Sequence, residues 1–200
     1  EELDLNTAPE VASFCRELDM HSGLLKRTFE ATLPSGKIVA VEAERLVSIV
    51  QDEIGTISYS VTPKNFSGKI ELCSYLDFDV ENEDSNYDEK FWEPVTQGQE
   101  AGASYVHAKT KKTGFEVTVA MRNSLSLDGA PHEWGMSSDA KHMFVSECAC
   151  YEVAQGQTLK LEKFAAVLSS MNHDVASLDA KAAASATAAA AQGYEALRGE

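Results

Sequence analysis

Residues 37–50 read Lys-Ile-Val-Ala-Val-Glu-Ala-Glu-Arg-Leu-Val-Ser-Ile-Val, and this stretch decides the fold. It is dense in β-branched residues, which are stiff at χ1 and pack well on a pleated surface. Just before it, Pro34-Ser35-Gly36-Lys37 carries hairpin chemistry, and residues 24–33 alternate loosely ahead of that turn. The same two-residue period continues through 56–61, 69–76, 104–109, 115–127, 141–153 and 158–168. Gln155-Gly156-Gln157 makes the turn between the last two. Successive strands with short turns and no helix-length apolar pattern between them predict an antiparallel β-sandwich rather than a parallel α/β sheet.

Composition narrows the function classes. The 200 residues carry 17 Lys+Arg against 32 Asp+Glu, a formal net charge of −15. A nucleic-acid partner needs a basic face to displace counterions, and no stretch supplies one. The same field repels an anionic membrane surface. Hydrophobic content of 44% is that of a folded chain. No apolar run approaches the roughly 18 residues that cross a bilayer. The opening Glu1-Glu2-Leu3-Asp4 is acidic where a signal peptide is basic. With no initiator Met, the chain reads as a processed protein or an excerpt from a longer one.

Two loops stand out. Residues 81–100 hold seven acidic residues against Lys90, with Phe91-Trp92 in the middle. The simplest reading of the acids is a solvated loop, but two adjacent aromatics in a polar loop point to a contact. The second Trp lies in Pro131-His132-Glu133-Trp134-Gly135, a corner suited either to stacking on a sugar ring or to capping the sandwich edge. Phe91, Trp92, His132, Glu133 and Trp134 are therefore the candidate substrate-proximal residues. No catalytic residue and no metal site is assigned. Cys15, Cys73, Cys148 and Cys150 lack CxxC spacing, so they read as reduced, buried thiols, with Cys148 and Cys150 on one face of a strand. The five histidines show no ligand spacing. A sandwich enzyme of the mutarotase kind would need one of them, His107 or His142, to meet a carboxylate in a concave pocket.

The last 27 residues change character. Residues 174–191 are rich in Ala, a strong helix by propensity, with Asn172 or Asp174 as N-cap. Ala buries little area, so this helix is expected to act as a spacer or as a small-residue face against a neighbour, not as the centre of a core. The division expected is a sandwich over 1–171 and a helical linker over 172–200.

Three segments carry a resemblance. Leu18-Asp19-Met20, Gly23, Leu25 and Arg27 are similar to a motif of the N-terminal domain of glycoside hydrolase family 65, which includes maltose, trehalose and kojibiose phosphorylases. Thr62-Pro63, Asn65, Ser67-Gly68 and then Ser74, Leu76-Asp77 resemble a second motif of that domain. Residues 155–163 and 193–200 resemble its final hairpin and its linker end. The order holds from about residue 3 to residue 200.

The resemblance implies a supersandwich of the galactose-mutarotase type, lacking its first strands, that precedes an (α/α)6 catalytic barrel. The barrel would hold the general-acid Glu and the phosphate site, so the fragment alone is expected to be inactive. In the whole protein the implied reaction is inverting phosphorolysis of an α-glucosidic disaccharide, with inorganic phosphate as co-substrate and no cofactor. The implied partners are the chain's own C-terminal barrel, a second copy in a homodimer and the disaccharide, and the implied compartment is the cytoplasm. An autonomous carbohydrate-binding module using the loop aromatics is the alternative.

Overall fold

The computed structural model describes residues 1–81, 89–133 and 137–200. Among them, nine strands form one sheet: β1 (Glu10–Asp19), β2 (Leu24–Thr32), β3 (Ile38–Val47), β4 (Ile54–Pro63), β6 (Trp92–Glu100), β7 (Ala103–Thr110), β8 (Glu116–Leu127), β9 (Ala130–His132) and β12 (Leu159–Ser169). Their order is β1-β2-β3-β4-β12-β8-β7-β6, with the short β9 pairing on β8. A second sheet has three strands in the order β10-β11-β5, where β5 is Gly68–Asp77, β10 Ser137–Lys141 and β11 Phe144–Val153. Every pairing is antiparallel, as the sandwich expectation requires. The β2–β3 hairpin closes where Pro34-Ser35-Gly36 predicts it. Gly36 adopts φ +81°, a left-handed conformation open to glycine at little steric cost, and its N–H donates to Leu33 O at 2.8 Å.

The large sheet is covered on both sides, and β12 shows how. Leu159 and Leu161 point toward the small sheet and pack with Leu72 and Val153. Phe164, Ala166 and Leu168 point the other way. There they meet the two C-terminal helices, α1 (Leu178–Gln192) and α2 (Tyr194–Arg198). Strand β8 divides likewise: Met121 and Leu125 serve the inter-sheet core while Ala120 lies under the helix. The molecule has three layers: small sheet, large sheet and helix.

This revises the expectation for the Ala-rich tail. Leu178, Ala182, Ala183, Ala186 and Ala189 of α1 are buried, and Tyr194 and Leu197 of α2 join them. Methyl side chains let the helix backbone lie close to the sheet, so the contact is made by proximity and by the large residues opposite. Asp174 caps the single 3-10 turn that precedes α1 by accepting from the Ala176 N–H. Gly193, at φ +87°, then breaks the helix and redirects α2. Because Ala186 is fully buried in the same core cluster as Phe164, Ala186→Leu is expected to cost about 1–3 kcal/mol through overpacking, read as a lowered thermal midpoint. An unchanged midpoint would show that the helix is loosely seated.

Two further expectations change. Residues 92–100, read as part of a loop, form β6, which pairs with β7 across a bulge at Pro94–Thr96. Strand β6 is one edge of the large sheet and β1 is the other, and both are largely exposed. Neither has a buried face to impose alternation, so neither is visible as a period-two pattern. The cysteines also differ. Cys148 and Cys150 do share a face of β11, but it is the outer face, since Val145, Glu147, Ala149 and Val153 occupy the inner one. Cys73 and Cys148 are joined in a disulfide, and Cys15 and Cys150 are exposed.

Candidate functional site

The candidate aromatics fall in two places. Trp92 opens β6, half-buried, with its ring edge-on to Phe78 at 5.5 Å and to Phe115 at 6.0 Å. Phe91, also half-buried, uses its carbonyl to accept from the Lys111 N–H at 2.9 Å. These contacts make Trp92 part of an aromatic cluster that ties the β5 exit to the β7–β8 turn, with Phe91 held beside it through its backbone. His132 ends β9, exposed, with its ring 5.8 Å from that of Tyr151. The Tyr151 hydroxyl donates to the Glu133 carbonyl, and the Glu133 side chain faces solvent. Trp134 lies outside the described residues, as do the acids at 83, 84 and 88.

Register keeps these two groups apart. Trp92 pairs with Thr110, next to the Lys109–Glu116 pair that starts β8, whereas His132 pairs with Leu125 near its far end. From Glu116 to Leu125 the strand advances about 30 Å at roughly 3.3 Å per residue. The described candidates, Phe91 and Trp92 on one side and His132 and Glu133 on the other, therefore do not converge on one site.

Three polar clusters are built around buried side chains, His107, Glu147 and Glu44, and of these only His107 is singled out from the sequence. His107, 4% exposed at its side chain, sits between two carboxylates at the sheet–helix interface. Its Nε2 is 3.0 Å from Glu116 Oε2, a hydrogen-bonding contact. Its Nδ1 is 2.9 Å from Asp179 Oδ1 but out of line for a hydrogen bond. Thr118 Oγ1 donates to the same Asp179 oxygen at 2.6 Å. A histidine does meet carboxylates here, as a mutarotase-like enzyme would require; the imidazole itself is buried at the sheet–helix interface, while the Glu116 and Asp179 side chains are 17% and 24% exposed. The cluster fastens the helix to β7 and β8.

The second cluster lies between the sheets. Glu147, 2% exposed, accepts from Ser104 Oγ at 2.5 Å and from Asn123 Nδ2 at 2.7 Å. Lys163 enters from β12 and donates to the Tyr75 carbonyl at 2.5 Å. Burial disfavours its ammonium and lowers its pKa from 10.5 to about 8, an effect that the Glu147 charge partly opposes. The third cluster surrounds Glu44 on β3, which accepts from the Tyr194 hydroxyl at 3.0 Å and lies 3.4 Å from Lys26 and 3.6 Å from Arg198. Burial, and then the bond to Glu44, pushes the Tyr194 phenol well above its usual value. Both Glu147 and Lys163 had a sequence signal: each is a charged residue in the inward phase of an alternating strand, with Val145 and Val153 or with Leu159 and Leu161.

Open clefts offer little chemistry. One of about 200 Å³ is lined by Gln51, Asp52, Glu53, Ile54, Ser185 and Ala188, and its Glu53 carboxylate is engaged by His173 at 2.7 Å. A second, about 350 Å³, is lined by Ser67, Gly68, Glu152, Val153, Ala154 and Gln157. Neither includes a sequence candidate. General acid–base catalysis on a glycosidic bond needs one carboxyl held protonated in a dry pocket and a second group across from it. Among the described residues, Glu147 is buried between the sheets and bound by Ser104 and Asn123, and neither of these two clefts includes it. No helix among them is long and apolar enough to cross a membrane.

The whole chain matches a known family. Residues 1–200 match the glycosyl hydrolase family 65, N-terminal domain. The chain is 29% identical over 208 residues to an alpha,alpha-trehalose phosphorylase of Thermoanaerobacter brockii, a match covering 100% of this chain and 26% of that protein. It is 30% identical over 200 residues to a maltose phosphorylase of Bacillus subtilis (strain 168), covering 98% of this chain and 25% of that protein. A solved structure titled as a putative kojibiose phosphorylase from human microbiome superposes with a TM-score of 0.85 at 20% identity, covering 100% of this chain and 25% of that one. This last likeness concerns the fold. The chain thus spans about a quarter of the length of the relatives it matches. With the antiparallel three-layer architecture and the full-length match together, the chain belongs to glycosyl hydrolase family 65, as its N-terminal domain.

Proposed function

We propose that this chain is the non-catalytic sandwich domain of a phosphorylase acting on α-glucosidic disaccharides. The observation that carries the reading is its span: the whole chain matches about a quarter of the trehalose and maltose phosphorylases. In the whole protein, a C-terminal (α/α)6 barrel would supply the general acid and the phosphate site. Inorganic phosphate would attack the anomeric carbon from the face opposite the departing sugar oxygen, giving β-glucose 1-phosphate and glucose. This domain would seat that barrel and contribute to a homodimer, with residues 172–200 as its passage into the barrel. Phe91, Trp92, His132, Glu133 and Trp134 remain proposals as substrate neighbours, and no more than one of the two groups would reach a single sugar.

The test is direct. The 200-residue chain, incubated with maltose, trehalose or kojibiose and phosphate, is expected to release no glucose 1-phosphate, while the protein extended through its C-terminal region turns over at least one of them. Robust turnover by the chain alone would sink the reading. Isothermal titration of the same chain with maltose decides the carbohydrate-binding alternative. A heat of binding that is lost in His132→Ala would favour that alternative.

A further inference from the structure

The outer face of the small sheet holds a square of metal-ligating side chains. Cys73 of β5 stands directly across from Cys148 of β11, and Glu71 stands directly across from Cys150. The Cα atoms of Cys73 and Cys148 are 4.1 Å apart, the short spacing of a non-hydrogen-bonded pair. Pair types alternate along an antiparallel ladder, so Glu71 and Cys150, two positions on, form a second close pair. All four project to the same side, away from Val145, Glu147 and Ala149. The ligand atoms of Glu71, Cys73 and Cys148 lie within 4.8 Å of one another. A tetrahedron of thiolates around zinc, at about 2.3 Å per bond, has edges of roughly 3.8 Å, so ordinary rotamer changes close the gap.

We propose that, with the Cys73–Cys148 disulfide reduced, this face is a binding site for a thiophilic divalent cation of the zinc class. Its ligands are Cys73, Cys148, Glu71 and, completing the tetrahedron, Cys150. Soft thiolates with one carboxylate select zinc over magnesium or calcium, which take all-oxygen sets. The disulfide and the metal compete for the same two sulfurs, so the site exists only in the dithiol form. A phosphine reductant opens it: the phosphine gives two electrons to the S–S bond and takes the oxygen of a water, and that water's two hydrogens end on the sulfurs. Metal uptake then releases each thiol proton to the buffer as its sulfur becomes a thiolate ligand.

Cobalt(II), which reports tetrahedral thiolate coordination by colour, is the probe. The phosphine-reduced 200-residue chain is expected to bind one Co²⁺ with intense d–d bands and thiolate-to-metal charge transfer, both removed by Zn²⁺. The oxidised chain should show neither. Cys73→Ser and Cys148→Ser should each weaken binding by about 100-fold or more, since even outer-shell partners of a metal are worth roughly 10–100-fold. Glu71→Gln should weaken it as well, and Cys150→Ser should lower the charge-transfer intensity by one thiolate's share. These positions face solvent or are half-buried, so the variants keep the wild-type circular dichroism, which serves as the check on folding. Absence of the bands in the reduced wild type would overturn the assignment. So would bands that persist in Cys73→Ser or Cys148→Ser, or that Cys150→Ser leaves unchanged.

Discussion

Ending the chain at Ser170 is expected to abolish cooperative folding. The cut removes α1 and α2 and uncovers the helix-side face of the large sheet, where Leu24, Leu46, Ile54, Phe164 and Leu168 are buried. Five large apolar side chains at about 1.5–3 kcal/mol each amount to roughly 10 kcal/mol of lost burial. The whole net stability of a domain is typically about 5–15 kcal/mol. The cut also leaves Glu44 without Tyr194 and Arg198, and His107 and Thr118 without Asp179. The measurement is size-exclusion chromatography with near-ultraviolet circular dichroism. A monomer with native-like side-chain signals and an unchanged thermal midpoint would show instead that 172–200 is a detachable linker, as the composition of the tail first suggests. The expected failure makes the tail a third layer of the sandwich, whatever role it plays in handing over to a C-terminal region.

Stability is also expected to rise between pH 8 and pH 10, where most proteins are flat or falling. In the folded chain Lys163 loses its proton near pH 8, while in the unfolded chain it holds that proton to about 10.5. Across that window the unfolded state binds more protons, so the free energy of unfolding increases with pH. The shift corresponds to about 3 kcal/mol at full extent, most of it gained by pH 10. Above pH 10 the sign reverses. Burial raises the phenols of Tyr59 and Tyr194, so their protons stay bound in the folded state after the unfolded chain releases them. Urea midpoints taken from pH 7 to 11, with the free thiols alkylated, should therefore pass through a maximum near pH 10. Lys163→Met should flatten the rising limb and leave the falling one. A wild-type midpoint that does not rise above pH 8 would mean that water reaches the ammonium and that the space between the sheets around Glu147 is wetter than the packing implies.

How much of this was legible beforehand depends on where a residue sits. The strands through 24–33, 37–50, 56–61, 69–76, 115–127 and 158–168 were readable because each presents at least one face to a core, which forces alternation. β1 and β6 were not, because edge strands exposed on both faces carry no such constraint. The candidate site was read from residue type, namely two tryptophans in polar loops, and type does not reveal register. Trp92 turned out to be held between Phe78 and Phe115, about 30 Å along β8 from His132.

The sequence by itself determined the antiparallel all-β class, the turn at Gly36, the helical state of the tail and, through three motifs in order, the family. Each of these rests on local chemistry or on linear spacing: β-branched runs, a left-handed glycine, alanine propensity, motif distance. Only the tertiary structure decided that the tail is core, that His107 meets Glu116 and Asp179, that Glu147 meets Ser104 and Asn123, and that Cys73 faces Cys148. Those pairings join residues from 9 to 75 positions apart. Strand order sets such contacts, and a pattern along the chain records which face a residue occupies without recording what lies across from it.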